Sequence, residues 1–181
     1  MASATGRGWE RARSWVRPAI VAERSRIGDW EVAPGLVRPG GPVLVTMVEC
    51  KSRCTRIAVV ENKDSTAVTD GWLRSLRPYR DRVETMTFDH GKEFARHAQL
   101  AEQLQAKAYF EHPCHSWERA LNEHTNGLIL NISPRAATFS KFTGKAVQRV
   151  EAILNSHPRK CLTYRPPNDS LLPPRPLALV T

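Results

Sequence analysis

No stretch of the 181-residue chain approaches the roughly 20 consecutive apolar residues that a membrane span requires. Nor does a basic, apolar and small-residue succession of the secretory type open it. Cysteine is scarce: Cys50, Cys54, Cys114 and Cys161 show no disulfide-framework spacing. No second Cys or His pair follows Cys50 and Cys54 at a zinc-finger or ribbon spacing, so reduced thiols are the expectation. Acidic residues are also in deficit, with 18 Asp+Glu against 27 Lys+Arg, a net charge of +9 and a pI near 9.9. An excess of that size favours a polyanionic partner. Without a membrane segment, the expected partner is nucleic acid in the cytoplasm. The remaining composition, 41% hydrophobic and 25% charged, is ordinary for one globular domain with a real core.

Three regions follow from the pattern: a basic arm over residues 1–26, a folded domain over 27–157 and a proline-rich tail over 158–181. The arm carries Arg7, Arg11, Arg13, Arg17, Arg24 and Arg26 without sustained periodicity, and it is expected to be poorly ordered. Strands are expected at 27–32, 43–48 and 55–60, with Lys51-Ser52-Arg53 as the turn between the last two. A helix is expected over 64–78, capped by Asp64 or Ser65, with Val68, Trp72 and Leu76 facing the core. Then come a strand at 83–88, a helix at 94–105, a strand at 106–110 and a helix opened by Ser116 as N-cap. Residues 130–137 read as irregular because Pro134 ends any helix. A last amphipathic helix runs from Phe139 to about Asn155, whose Lys141, Lys145 and Arg149 suit DNA phosphates or a solvated face equally. The tail is expected to be extended along the surface.

Two carboxylates stand out. Asp89 follows an alternating apolar segment and precedes His90-Gly91, the setting of a strand opening into a turn. Glu123 falls within the helix that follows. A strand end and a neighbouring helix can present two hard oxygen ligands to one Mg²⁺ or Mn²⁺. Either residue alone reads as a turn former or a solvated helix carboxylate.

Longer motifs accompany them: Thr87-Phe88-Asp89-His90-Gly91-Lys92-Glu93-Phe94, His112-Pro113-Cys114-His115-Ser116-Trp117-Glu118-Arg119, Asn122-Glu123-His124-Thr125-Asn126-Gly127 and Pro158-Arg159-Lys160-Cys161-Leu162. Together with Ile27-Gly28-Asp29-Trp30-Glu31-Val32, they resemble the catalytic half of insertion-sequence-thirty family bacterial transposases, over roughly residues 16–181. The resemblance implies an α/β, ribonuclease-H-like fold of the retroviral-integrase type, with a mixed five-stranded sheet flanked by helices. It also implies an Asp-Asp-Glu site using Mg²⁺ or Mn²⁺, in which Asp89 and Glu123 match the second and third acids. Glu31, Glu93, Arg119, Asn122, Asn126 and Lys160 match supporting or DNA-contacting positions. The implied partners are double-stranded DNA, as transposon ends and target, and a second copy or a full-length transposase. Family members carry an N-terminal helix-turn-helix region; no such pair fits ahead of Ile27, so a truncated product is expected.

One departure is central. The family's first catalytic Asp follows the Trp-Glu-x motif on the first strand, where this chain has Ala33. Asp29, Glu31 and Ala33 share a strand face, and Glu31 lies about 7 Å behind position 33 by strand rise. That distance is too great for it to replace a ligand. The expected activity is therefore transposition chemistry, cutting and strand transfer on DNA, impaired in this chain. The alternative is a non-catalytic DNA-binding or oligomerising remnant.

Overall fold

The computed structural model describes residues 18–33, 42–88, 96–110, 120–132 and 144–172. After a single helical turn, α1 (Ala19–Ala22), come β1 (Asp29–Ala33), β2 (Val43–Glu49), β3 (Thr55–Val60) and α2 (Ser65–Leu76). β4 (Thr85–Phe88), α3 (His97–Leu104), β5 (Lys107–Phe110), α4 (Ala120–Ile132), α5 (Gly144–Ser156) and α6 (Pro167–Leu171) follow. The five strands form one sheet in the order β3-β2-β1-β4-β5. β1 is antiparallel to β2 and parallel to β4, which makes the sheet mixed and β1 its centre.

Side-chain alternation divides the sheet into two faces. Trp30 and Val32 of β1 join Val45, Met47, Met86 and Phe88 on one face, beneath Val68, Trp72 and Leu76 of α2 and Leu100 and Leu104 of α3. The opposite face carries Leu44 and Ile57 against Ile129 of α4 and Val147, Val150 and Leu154 of α5. Helices on both faces explain why every residue of β2 is buried and why its sequence is nearly continuous in apolar residues.

The edge strand β3 is closed by side chains of α5. Asn155 accepts from the Thr55 amide at 2.8 Å and donates to the Thr55 carbonyl at 2.8 Å. Glu151 accepts from the Ile57 amide at 2.8 Å and pairs with Arg56. Polar groups that would template pairing with another chain are thereby satisfied from within.

Several expected boundaries shift for identifiable reasons. Asp64, not Ser65, caps α2, accepting from the Thr66 amide at 2.9 Å, and the helix stops at Leu76 before a 3-10 turn over Arg77–Arg82. β4 begins at Thr85 rather than at residue 83. α4 continues through Leu130–Ile132, expected to be irregular, because Leu128, Ile129 and Ile132 have the opposite face of the sheet to pack against. The tail is not simply extended: Lys160–Leu162 forms a 3-10 turn, and Pro167 opens α6 at a position where proline's missing N–H costs nothing. Leu171 is then buried in the domain. The arm is narrower than its sequence boundary, since Val21 is buried and Arg24 and Arg26 pair with β1 carboxylates. Ser116, Phe139 and Phe142 lie outside the described residues.

Gly71 lets α2 approach the sheet: a Cβ there would stand 2.7 Å from Cγ1 of buried Val60 and 3.4 Å from Ala58. Gly→Ala inside a helix normally stabilises by up to about 1 kcal/mol. Overpacking against a stiff β-branched side chain costs about 1–3 kcal/mol. Gly71→Ala is therefore expected to lower stability by roughly 1–2 kcal/mol in urea denaturation; a gain in stability would show that α2 sits further from β3.

Candidate functional site

The start of β1 is a buried, charged lock. Gly28 adopts φ +111°, a conformation that L side chains rarely adopt, and its amide donates to Glu49 Oε1 at 3.0 Å. Glu49, fully buried at the end of β2, also accepts from the Ser52 amide at 2.6 Å and from the Ser52 hydroxyl. Asp29 accepts from Arg26 Nε and Nη2 and, at 2.7 Å, from the Thr85 hydroxyl of β4. Trp30 donates from its indole to the Arg82 carbonyl at 3.2 Å. Thus Ile27-Gly28-Asp29-Trp30 works as a clamp that fixes where β1 starts. Glu31 is only 1% exposed and pairs with Arg24 at 3.4 Å, a setting for positioning rather than for contact with a macromolecule.

The other end of β1 carries the candidate chemistry. Ala33 is the register partner of Thr46 on β2. The Thr46 hydroxyl lies 3.2 Å from Oδ1 of Asn126, and α4 packs on both β1 and β2. Glu123 precedes Asn126 by three residues, so the two are neighbours on the helix surface, and Glu123 is exposed. Asn122 is buried at 4% exposure within the same turn. On the opposite side of β1, Val32 pairs with Phe88, the last residue of β4. Asp89 follows Phe88 in sequence and lies outside the described residues, as do His90, Glu93 and Arg119. Lys160 is exposed in the 3-10 turn beyond α5. Among the described residues, no three His, Cys, Asp or Glu side chains gather as a metal site. Ala33 brings a methyl group and no oxygen donor to this end of β1.

A second feature escaped sequence reasoning. Arg24, Arg53 and Arg159, from three separate segments, line a cavity of about 230 Å³ with His124 of α4. Nothing in their spacing announces this, because the fold alone brings them together. Among the described residues no helix is long and apolar enough to cross a membrane.

The sheet order, the parallel and antiparallel pairings and the helices on both faces define a ribonuclease-H-like domain. A chain in the cryo-EM structure of the simian T-cell lymphotropic virus intasome in complex with PP2A regulatory subunit B56 gamma shares this fold. Its TM-score is 0.65 at 14% identity, over 82% of this chain and 55% of that one. No protein-family model matches the sequence. The transposase for insertion sequence element IS4351 of Bacteroides fragilis is 37% identical over 153 residues, 84% of this chain and 47% of the relative. Transposase InsI for insertion sequence element IS30A of Escherichia coli (strain K12) is 34% identical over 159 residues, 84% of this chain and 40% of the relative. The transposase for IS1086 of Cupriavidus metallidurans is 33% identical over 160 residues, 84% of this chain and 45% of the relative. By sequence the chain is similar to insertion-sequence-thirty family and related transposases over 84% of its length. It spans less than half the length of the curated relatives it matches.

The thiols near the clamp are inert by burial. Burial pushes the Cys50 thiol well up, with Glu31 adding to the effect, and raises Cys54 from 9.0 to about 12. Both are free and buried, whereas Cys161 is exposed. A raised native pKa stabilises the fold below the unfolded value and loses that contribution as pH climbs through the native one. Stability to urea is therefore expected to hold to about pH 8 and to fall between about pH 9 and 12. Maleimide labelling at about pH 7.5 followed by mass spectrometry should modify Cys161 and spare Cys50 and Cys54 until denaturant is added; native labelling of Cys54 would contradict this burial.

Proposed function

We propose that the chain is the catalytic domain of an insertion-sequence transposase, built for metal-dependent phosphoryl transfer on DNA and impaired here by Ala33. The observation that supports this most is the contact between Asn126 and Thr46. It draws the helix bearing exposed Glu123 to the strand position paired with Ala33, while the strand leading to Asp89 ends against Val32. In this reading Asp89 and Glu123 are the remaining carboxylates for Mg²⁺ or Mn²⁺. Asn122 and Asn126 orient α4, and Glu93, Arg119 and Lys160 support the site or meet DNA.

Phosphoryl transfer asks for placement and charge stabilisation more than for covalent chemistry by the protein. A held divalent cation would supply that charge stabilisation, and a methyl group at position 33 weakens its hold. The expected loss of rate relative to a chain with all three acids is at least roughly 10³-fold, about 4 kcal/mol in the barrier. The net charge of +9 suits double-stranded DNA, both as transposon end and as target, in the bacterial nucleoid. A second copy or a full-length transposase is the protein partner this reading implies.

Calorimetric titration with Mn²⁺ tests the site without requiring turnover. Ala33→Asp is expected to bind at least about tenfold more tightly than the wild type, and adding Asp89→Ala or Glu123→Ala should abolish the gain. Equal Mn²⁺ binding by wild type and Ala33→Asp would remove the missing-ligand explanation and leave a DNA-binding remnant.

A further inference from the structure

The arginine-lined cavity lies on a different side of α4 from the candidate metal site. Leu121, His124 and Leu128 of α4 face it, at the three- and four-residue spacing of one helical face. At about 100° per residue, Asn126 lies nearly opposite that face and Glu123 well round from it. Arg24 reaches the cavity from the segment after α1, Arg53 from the turn between β2 and β3, and Arg159 from the segment after α5. None of these lining residues is acidic. Among the described residues, Arg24 is the one of the three held by a carboxylate, Glu31, at 3.4 Å.

Arg159 Nη2 donates to the Leu154 carbonyl at 3.1 Å, and Arg53 Nη1 and Arg159 Nε are shielded from solvent, so those two nitrogens do not open on the cavity. Guanidinium forks match the oxygens of a phosphate, and the lining residues offer them no carboxylate. The backbone adds a second observation: Arg24 and Arg53 both adopt left-handed φ values, 53° and 63°. Arginine has no side-chain oxygen to compensate that conformation locally, as Asn or Asp would. Two cationic side chains are thus held at a cavity wall at some backbone cost. Burial also lowers the Arg159 pKa, because desolvation disfavours its charged form.

We propose that this cavity is a phosphate-binding pocket, distinct from the Glu123 site, that takes a phosphate group presented by a DNA strand or as a free anion. Its guanidiniums donate to the phosphate oxygens, and His124 adds a further donor. The DNA source rests on the transposase reading; the phosphate chemistry does not.

The test uses the full chain with inorganic phosphate as the probe. Arg53→Asn is the informative variant, because asparagine tolerates the left-handed backbone and removes only the cation. His124→Gln is a second variant that leaves that turn untouched. Phosphate is expected to raise the wild-type melting temperature beyond chloride at equal ionic strength. Each variant should weaken phosphate binding by roughly tenfold in calorimetry while melting normally in chloride. Fluorescence anisotropy with a duplex of about 20 base pairs separates the sources. If DNA supplies the phosphate, Arg53→Asn weakens duplex binding by about 3–10-fold and lowers the salt slope by about 1. Unchanged duplex binding alongside lost phosphate binding assigns the pocket to a free anion. Phosphate acting no differently from chloride on the wild type overturns the pocket altogether. Mn²⁺ binding by Ala33→Asp is expected to be the same with and without Arg53→Asn, so failure of the metal reading is seen apart from failure of this one.

Discussion

β1 is fixed at its start by buried charge, and the geometry at its other end depends on that fixing. Asp29 and Glu49 are fully buried, which is tolerable because guanidinium and hydroxyl donors meet Asp29 while amide and hydroxyl donors meet Glu49. A strand slipped by one residue would turn Trp30 and Val32 out of one core and bring Glu31 into it. The clamp and the two apolar faces therefore select the same register. That register pairs Ala33 with Thr46 and Val32 with Phe88.

Much of this was legible in the sequence because two periodicities carried it. Alternation marked the strands, and three- and four-residue recurrence marked α2 and α5, down to Val68, Trp72 and Leu76 on one stripe. Errors arose where tertiary contact overrode a local signal. Pro134 suggested an early end to regular structure, yet Leu128, Ile129 and Ile132 kept α4 helical by packing on the sheet. The prolines near the C-terminus read as an extended tail, although Pro167 is well placed to start a helix. The candidate site rests on its motifs and on the lack of an acid at position 33. The link from Asn126 to Thr46 was not legible, because it joins residues 80 apart in sequence.

Helix α4 has three dissimilar sides. One packs through Ile129 into the second core, one brings Asn126 to Thr46 near the end of β1, and one faces the arginine-lined cavity. A single helix therefore meets the sheet on one side and closes a cationic cavity on another. This arrangement also explains why clustered arginines were invisible in one dimension: Arg24, Arg53 and Arg159 share no segment and meet only once α4 and α5 are docked.

The proposed metal chemistry requires Asp89 and Glu123 to converge beside position 33. Crystals of the Ala33→Asp variant grown with Mn²⁺ and measured for anomalous scattering test that convergence most directly. The expected result is an anomalous peak held jointly by Asp89, Glu123 and the carboxylate introduced at position 33, at ordinary metal–oxygen distances. Density that sets Asp89 and Glu123 too far apart to share an ion, with no anomalous peak between them, would contradict it.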